Sequence, residues 1–202
     1  MSLASRQRTA LADLFDELGP FAPTKCEGWQ TQDLAAHLYV REHRVDALPG
    51  IGFERFESRT AGIQNQVLHS MDFPELVAAI RKPGWIMAPL DKLVNASEFF
   101  IHHEDVLRAN GREQQLTAAE QNELWPIVQV LARRTQFKFK RQVRLRRTDS
   151  GAEIAMGTGD EVLHLGGLPS ELLLHLSGRD ADVELTAELP VLDDWLRTRA
   201  KL

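Results

Sequence analysis

The stretch Asn95-Ala96-Ser97-Glu98-Phe99-Phe100-Ile101-His102-His103-Glu104-Asp105 carries the residue types and spacing that metal chemistry needs. On a helix, Glu98, His102 and Asp105 fall at i, i+4 and i+7, one line along one face. Leu90, Val94 and Ile101 flank that line on one side, and Phe99 and Val106 on the other, so the face is expected to turn inward. A carboxylate and an imidazole buried there need partners, and a bound cation is the simplest one. His103 cannot share the face, because consecutive helical residues stand about 100° apart. It is read as a surface or interdomain residue.

One helix offers a divalent ion only an i, i+4 pair, so a further ligand must come from another helix. His37, in Asp33-Leu34-Ala35-Ala36-His37-Leu38, fits best, because it lies between Leu34 and Val40 on an inward face. His37, Glu98 and His102 would give two imidazoles and one carboxylate, with positions open for water or substrate. Open coordination of this kind belongs to catalytic rather than structural ions. Zinc suits the donor set best, with iron, nickel and manganese also compatible. Asp105, one turn past His102, would orient that imidazole or act as a base on bound water.

Arg41 and Arg44, one and two turns beyond His37, could receive a carboxylate of a substrate or cofactor, since guanidinium groups match carboxylates bidentately. The plainer reading pairs them with Glu42, Asp46 or an acid of another helix. The metal reading also has a plainer rival: a Glu-x-x-x-His pair is commonly an exposed helix-surface interaction, and His37 could be a satisfied core histidine. Cys26 precedes the second helix, where a helix N-terminus favours a thiolate, although a lone cysteine is more often a small buried residue. His43, His69, His164 and His175 are read as structural.

The elements that must position these groups change character near residue 139. Before it, apolar residues recur at helical spacing. Leu3, Leu11, Leu14, Phe15 and Leu18 predict a first helix stopped by Gly19-Pro20. A second runs from about Thr31, taken as its N-cap, to about Ala47, ahead of Pro49-Gly50. Less regular helix is expected over 54–70 and 73–81, broken at Pro74 and Pro83-Gly84. Leu90 to Asn110 is the helix of the opening motif, closed by Asn110-Gly111. Thr117-Ala118-Ala119-Glu120 is a capping box for a helix reaching Phe137, with Pro126 bending it or marking its start.

Beyond residue 139, alternation at Gln142–Arg146, a turn at Asp149-Ser150-Gly151 and the segments 152–157 and 161–165 predict strands. Gly166-Gly167 then leads into a short helix, Leu172 to Leu176. Val183-Glu184-Leu185-Thr186 is a further strand, and a last helix runs from Val191 to Arg199. The expected fold is α+β: a four-helix bundle over 1–138 and a small α+β domain over 139–202.

Composition sets the remaining bounds. The chain has 202 residues, enough for one core or two small ones, with 43% hydrophobic and 26% charged residues, as in soluble globular proteins. A net charge of −5 argues against a general nucleic-acid or membrane-surface binder. Lys138, Lys140, Arg141, Arg144, Arg146 and Arg147 are read as a strand's polar face rather than a nucleic-acid site. One cysteine excludes an intramolecular disulfide framework. Without an apolar leader or a run of about 18 apolar residues, a cytoplasmic location and no membrane span are expected.

Pro23-Thr24-Lys25-Cys26-Glu27-Gly28-Trp29 with Asp33-Leu34-Ala35-Ala36-His37-Leu38 resembles the opening of the mycothiol-dependent maleylpyruvate isomerase group of the DinB-like superfamily. The Glu98-to-Asp105 segment resembles that group's Glu-x-x-x-His-x-x-Asp motif, and Gly167 to Arg179 its C-terminal domain. The nearer match is an uncharacterised actinobacterial subgroup described only as metal-binding. The resemblance implies a DinB-like four-helix bundle, a zinc held by His37, Glu98 and His102, and a low-molecular-weight thiol such as mycothiol as cofactor. The group's thiol- and dicarboxylate-binding residues have no residue-by-residue counterpart here. The implied partners are a small thiol and a small electrophile, and bundles of this kind often expose an apolar helix face, which admits a homodimer. A metal-dependent hydrolase and a non-enzymatic metal-binding scaffold are the competing classes.

Overall fold

The computed structural model describes residues 2–44, 57–84 and 95–200. Its described residues form eight helices and a four-stranded sheet, an α+β chain that divides into two compact units, 1–115 and 116–202.

The first unit is helical. Helix α1 (Leu3–Leu18) opens with the Ser2 hydroxyl accepting from the Ser5 N–H at 3.3 Å, and ends at Gly19, whose φ of 76° suits glycine. Its inner face carries Leu3, Leu11, Leu14 and Phe15. Helix α2 (Thr31–His43) is expected from the sequence to be capped by Thr31, but the cap is Gln30. The reason lies in two competing bonds. The Asp33 carboxylate takes the Gln30 N–H at 2.9 Å, while the Thr31 hydroxyl turns away to donate to the Gly19 carbonyl. Leu34, Ala35, Ala36, Leu38, Val40, Arg41 and Glu42 are all buried, the signature of a central helix rather than a surface one.

Helices α3 (Glu57–Ser70) and α4 (Phe73–Ile80) follow. Pro74 does not break helix here. It stands in the first turn of α4, behind an Asp72–Glu75 capping box, where its missing N–H costs nothing. Helix α5 (Ala96–Ala109) carries the opening motif, and Asn110 closes it. Helix α2 ends at His43, where Arg44 turns extended, short of the expected Ala47, and the expected continuations of α3 back to residue 54 and of α5 back to Leu90 lie outside the described residues.

The core of this unit gathers Leu11, Phe15, Leu34, Leu38, Val67, Leu76, Ile80, Phe99 and Val106. Truncating one such leucine to alanine costs about 2–5 kcal/mol. A buried ion pair crosses that core, Arg8 to Glu42 at 2.6 Å, with the guanidinium lying over the Phe99 ring. Glu42 also takes the Gly84 N–H at 2.8 Å, an approach so close that a Cβ at Gly84 would collide with the Glu42 carbonyl.

The second unit begins earlier than the change of sequence pattern suggests. Helix α6 (Ala118–Phe139), expected in the bundle, belongs with the sheet, because its buried face packs on α7 (Pro169–Leu176). The Gln121 amide spans that contact, donating to the Ser170 hydroxyl and accepting the Ser170 N–H, each at 3.0 Å. The helix runs unbroken through Pro126 and stops at Lys140 in the left-handed conformation, φ 61°.

Strands β1 (Gln142–Arg147), β2 (Glu153–Met156), β3 (Val162–Gly167) and β4 (Glu184–Thr186) lie in the order β2-β1-β3-β4, with the central pair parallel and the edges antiparallel. Register sets Val143 beside Leu163 and Leu145 beside Leu165, all buried. Arg144 and Arg146 are exposed, as the alternation predicts, but Arg147 is buried and bonded to Asp149 at 2.8 Å. Gly166-Gly167 end β3. Helix α8 (Leu189–Arg199) buries Trp195 completely, its indole N–H donating to His175 Nε2 at 3.0 Å. Among the described residues, no helix is long and apolar enough to cross a membrane.

Candidate metal centre

Helices α2 and α5 of the first unit bring His37, Glu98 and His102 together. From α2, His37 Nε2 stands 3.3 Å from Glu98 Oε1, and from α5, His102 Nε2 stands 3.3 Å from the same oxygen. The two imidazole rings meet edge to face, with centroids 5.5 Å apart. One donor atom from each of the three residues lies within 4.8 Å of the others, a spacing compatible with a single ion. The group is not sealed: His37 and Glu98 keep 22% and 26% side-chain exposure while His102 is buried, leaving one side open to a further ligand.

Helical phase explains why these atoms converge. Glu98 and His102 are one turn apart on α5, so their side chains reach the same neighbour. His103, the next residue, points elsewhere. Its Nδ1 donates to Gln7 Oε1 at 2.7 Å in a polar chain that continues through Gln114 to Glu104. That ring is buried rather than on the surface, and burial pushes its pKa down to about 4, so it stays neutral at pH 7.

Asp105 Oδ2 lies 3.0 Å from His102 Nδ1, the ring edge opposite the one that faces Glu98. At 1% exposure the carboxylate faces the imidazole and not the open side. This geometry is that of an acceptor that holds the ring's orientation and leaves Nε2 free to donate a lone pair. A base acting on water at the open side would have to reach across the ring.

Arg41 is engaged by the centre itself. Its Nε sits 3.4 Å from Glu98 Oε1 and its Nη1 donates to Asn95 Oδ1 at 2.6 Å, and the side chain is buried. Pairing with an acid of another helix, the plainer of the two sequence readings, describes it. Arg44 is the capping residue at the end of α2, half-buried, its N–H bonded to the Val40 carbonyl.

The electrostatics follow from these contacts. Burial would raise the Glu98 carboxyl, but hydrogen bonds from His102 and His37 and the Arg41 charge outweigh it and hold the carboxyl well below the usual range. Burial would likewise lower His102, yet Asp105, Cys26 and Glu98 together raise it well above an ordinary histidine. A buried histidine surrounded by anionic acceptors is a place where positive charge is stabilised, by a proton or by a cation.

Two neighbours were not legible as parts of this centre. Cys26 Sγ lies 3.3 Å from Asp105 Oδ2 and 3.7 Å from His102 Nδ1. The Trp29 ring stands 5.1 Å from that of His37. Both come from the loop between α1 and α2, whose path over α5 no local periodicity encodes. The hint in sequence is the clustering of Cys26, Gly28 and Trp29 just ahead of the His37 helix.

No family model matches the chain, and no curated protein matches it. Among solved structures, the crystal structure of the mycothiol-dependent maleylpyruvate isomerase is similar, with a TM-score of 0.46 and 15% identity over 92% of this chain and 90% of that one. A histidine-to-alanine mutant of the same enzyme gives a TM-score of 0.45 and 15% identity over the same shares.

Proposed function

We propose that this protein is a metal-dependent enzyme that uses a low-molecular-weight thiol, mycothiol or a close analogue, to act on a small electrophile by thiol transfer or isomerisation. The observation that carries the reading is the convergence of His37, Glu98 and His102 from two helices, with one side left accessible. Two imidazoles and a carboxylate with an open position suit zinc in a catalytic setting. A zinc ion held there would lower the pKa of a bound thiol or water and present it as a nucleophile at neutral pH.

The chain's own residues divide the remaining work. His37 and His102 would supply neutral nitrogen donors and Glu98 an anionic oxygen. Arg41 pairs with the same Glu98 oxygen that faces the two imidazoles and offsets its charge. Asp105 holds His102 in the required tautomer. A divalent ion between these donors, beside the Arg41 guanidinium, would favour an anion such as a thiolate at the open position. Trp29 sets a flat apolar ring beside His37. The likeness of the Pro23–Trp29 and Glu98–Asp105 motifs to the mycothiol-dependent group supports a thiol over water.

The test is turnover of a panel of small electrophiles, such as cis-enediones, epoxides and activated esters, by zinc-loaded protein with and without added thiol. Turnover that needs both metal and thiol is the expected result. Ester hydrolysis that proceeds equally without thiol would replace the proposal with a hydrolase. Unfolding on metal removal, with neither turnover nor thiol affinity, would replace it with a structural metal module.

A further inference from the structure

The loop ahead of α2 is stitched to the end of α5 by the Asn110 amide, which donates to the Pro23 carbonyl at 3.1 Å, and twice more at Asp105. The Lys25 N–H donates to the Asp105 carbonyl at 3.0 Å, and the Cys26 thiol donates to Asp105 Oδ2 at 3.3 Å. Behind the thiol the loop is firmly held. The Cys26 N–H donates to Thr24 Oγ1 at 3.1 Å, the Trp29 N–H to the Cys26 carbonyl at 3.0 Å, and the Thr24 hydroxyl to the Trp29 carbonyl at 2.8 Å. Asp105 Oδ2 therefore serves two side chains at once, His102 and Cys26, in a place 1% exposed to solvent. At that oxygen the Cys26 thiol brings the hydrogen and the carboxylate oxygen accepts it.

We propose that Cys26 is a positioning residue of the metal centre. By donating to Asp105 Oδ2, its thiol locks the carboxylate in the rotamer that holds the His102 ring, so that Nε2 faces Glu98 and His37. This rests on the metal reading of the preceding subsection and adds a residue to it. The thiol is not one of the three ligands. It lies at the Nδ1 edge of His102, whereas the His37–Glu98 side is the Nε2 edge. Cys26, His102 and Asp105 also bring donor atoms within 4.8 Å of one another, which defines the rival arrangement, an ion on the Nδ1 edge with sulfur as ligand.

The experiment is zinc affinity of the full chain by competition with a chromophoric chelator, for wild type, Cys26→Ser and Cys26→Ala, beside melting of each metal-free protein. Removing an outer partner of a ligating histidine weakens metal binding by about 10–100-fold. Cys26→Ala is expected at the lower end of that range, with an unchanged metal-free melting temperature, while Cys26→Ser keeps the donor and stays within about threefold of wild type. In an Asp105→Ala background, Cys26→Ala should cost nothing further, because the thiol acts through that carboxylate.

Unchanged affinity in Cys26→Ala, equal losses in the two variants, or additive losses with Asp105→Ala would each overturn the proposal. So would an intense sulfur-to-metal charge-transfer band in the cobalt(II)-substituted wild type, which would make Cys26 a ligand. A wild type that binds no metal contradicts the proposed function, whereas a wild type that binds normally beside an unaffected Cys26→Ala contradicts the role of Cys26 alone.

Discussion

His102 in the first unit and His175 in the second are both buried, both helical and both within ring contact of another ring, yet their surroundings impose opposite charge states. His102 faces Glu98 at one nitrogen and Asp105 at the other, and its pKa is driven up. His175 stacks on Trp195 at 5.8 Å, takes the indole N–H at Nε2, and has no carboxylate against it among the described contacts. Burial, helped by the Arg199 charge, pushes its pKa down to about 4. Burial alone makes a histidine a core residue; paired acceptors make it a site for positive charge.

The largest effect expected from this contrast is on metal affinity. His102→Ala removes a ligand and should abolish binding in a chelator competition, while His175→Gln should leave affinity unchanged. If both variants bound metal like wild type, the contrast would have no functional content.

A smaller effect should appear in stability. Unfolded, His175 takes a proton near pH 6.5; folded, it refuses one until about pH 4. The unfolded state thus binds more protons across that window, so stability present above pH 6.5 is lost as pH falls, by about 3 kcal/mol at pH 4. His175→Gln, which keeps an acceptor for the indole, should flatten that slope in denaturant titrations followed by tryptophan emission. An unaltered slope would assign the acid sensitivity to other groups.

Smaller again is the expected cost of Asp105→Ala, about 10–100-fold in zinc affinity, or roughly 1.4–2.7 kcal/mol. A complete loss of the metal would instead make Asp105 a ligand, and no loss would deny it the orienting role.

The helical phase of Glu98, His102 and Asp105 could be read directly from spacing, because one element carries all three. His37 could be inferred, since an inward histidine on a second helix has few alternatives. What escaped the sequence depends on tertiary approach. Whether Arg41 would meet a substrate or Glu98 is decided by where α5 passes α2, and Cys26 meets Asp105 only because the preceding loop folds back over α5. Thr31 has good capping chemistry, yet the Gly19 carbonyl claimed its hydroxyl. The unit boundary was misplaced for a similar reason. The switch from helical to alternating periodicity marks where α6 ends, whereas its packing partner is α7, thirty residues further on. Local pattern encodes elements well and their partners poorly.

The central claim is that α2 and α5 share one ion through His37 and His102, and metal content measured by plasma mass spectrometry on tag-free protein tests it most directly. The account predicts about one zinc per chain in wild type and in His103→Ala, and none in His37→Ala. Absence of metal in wild type even after reconstitution, or a site emptied by His103→Ala and retained by His37→Ala, would contradict it.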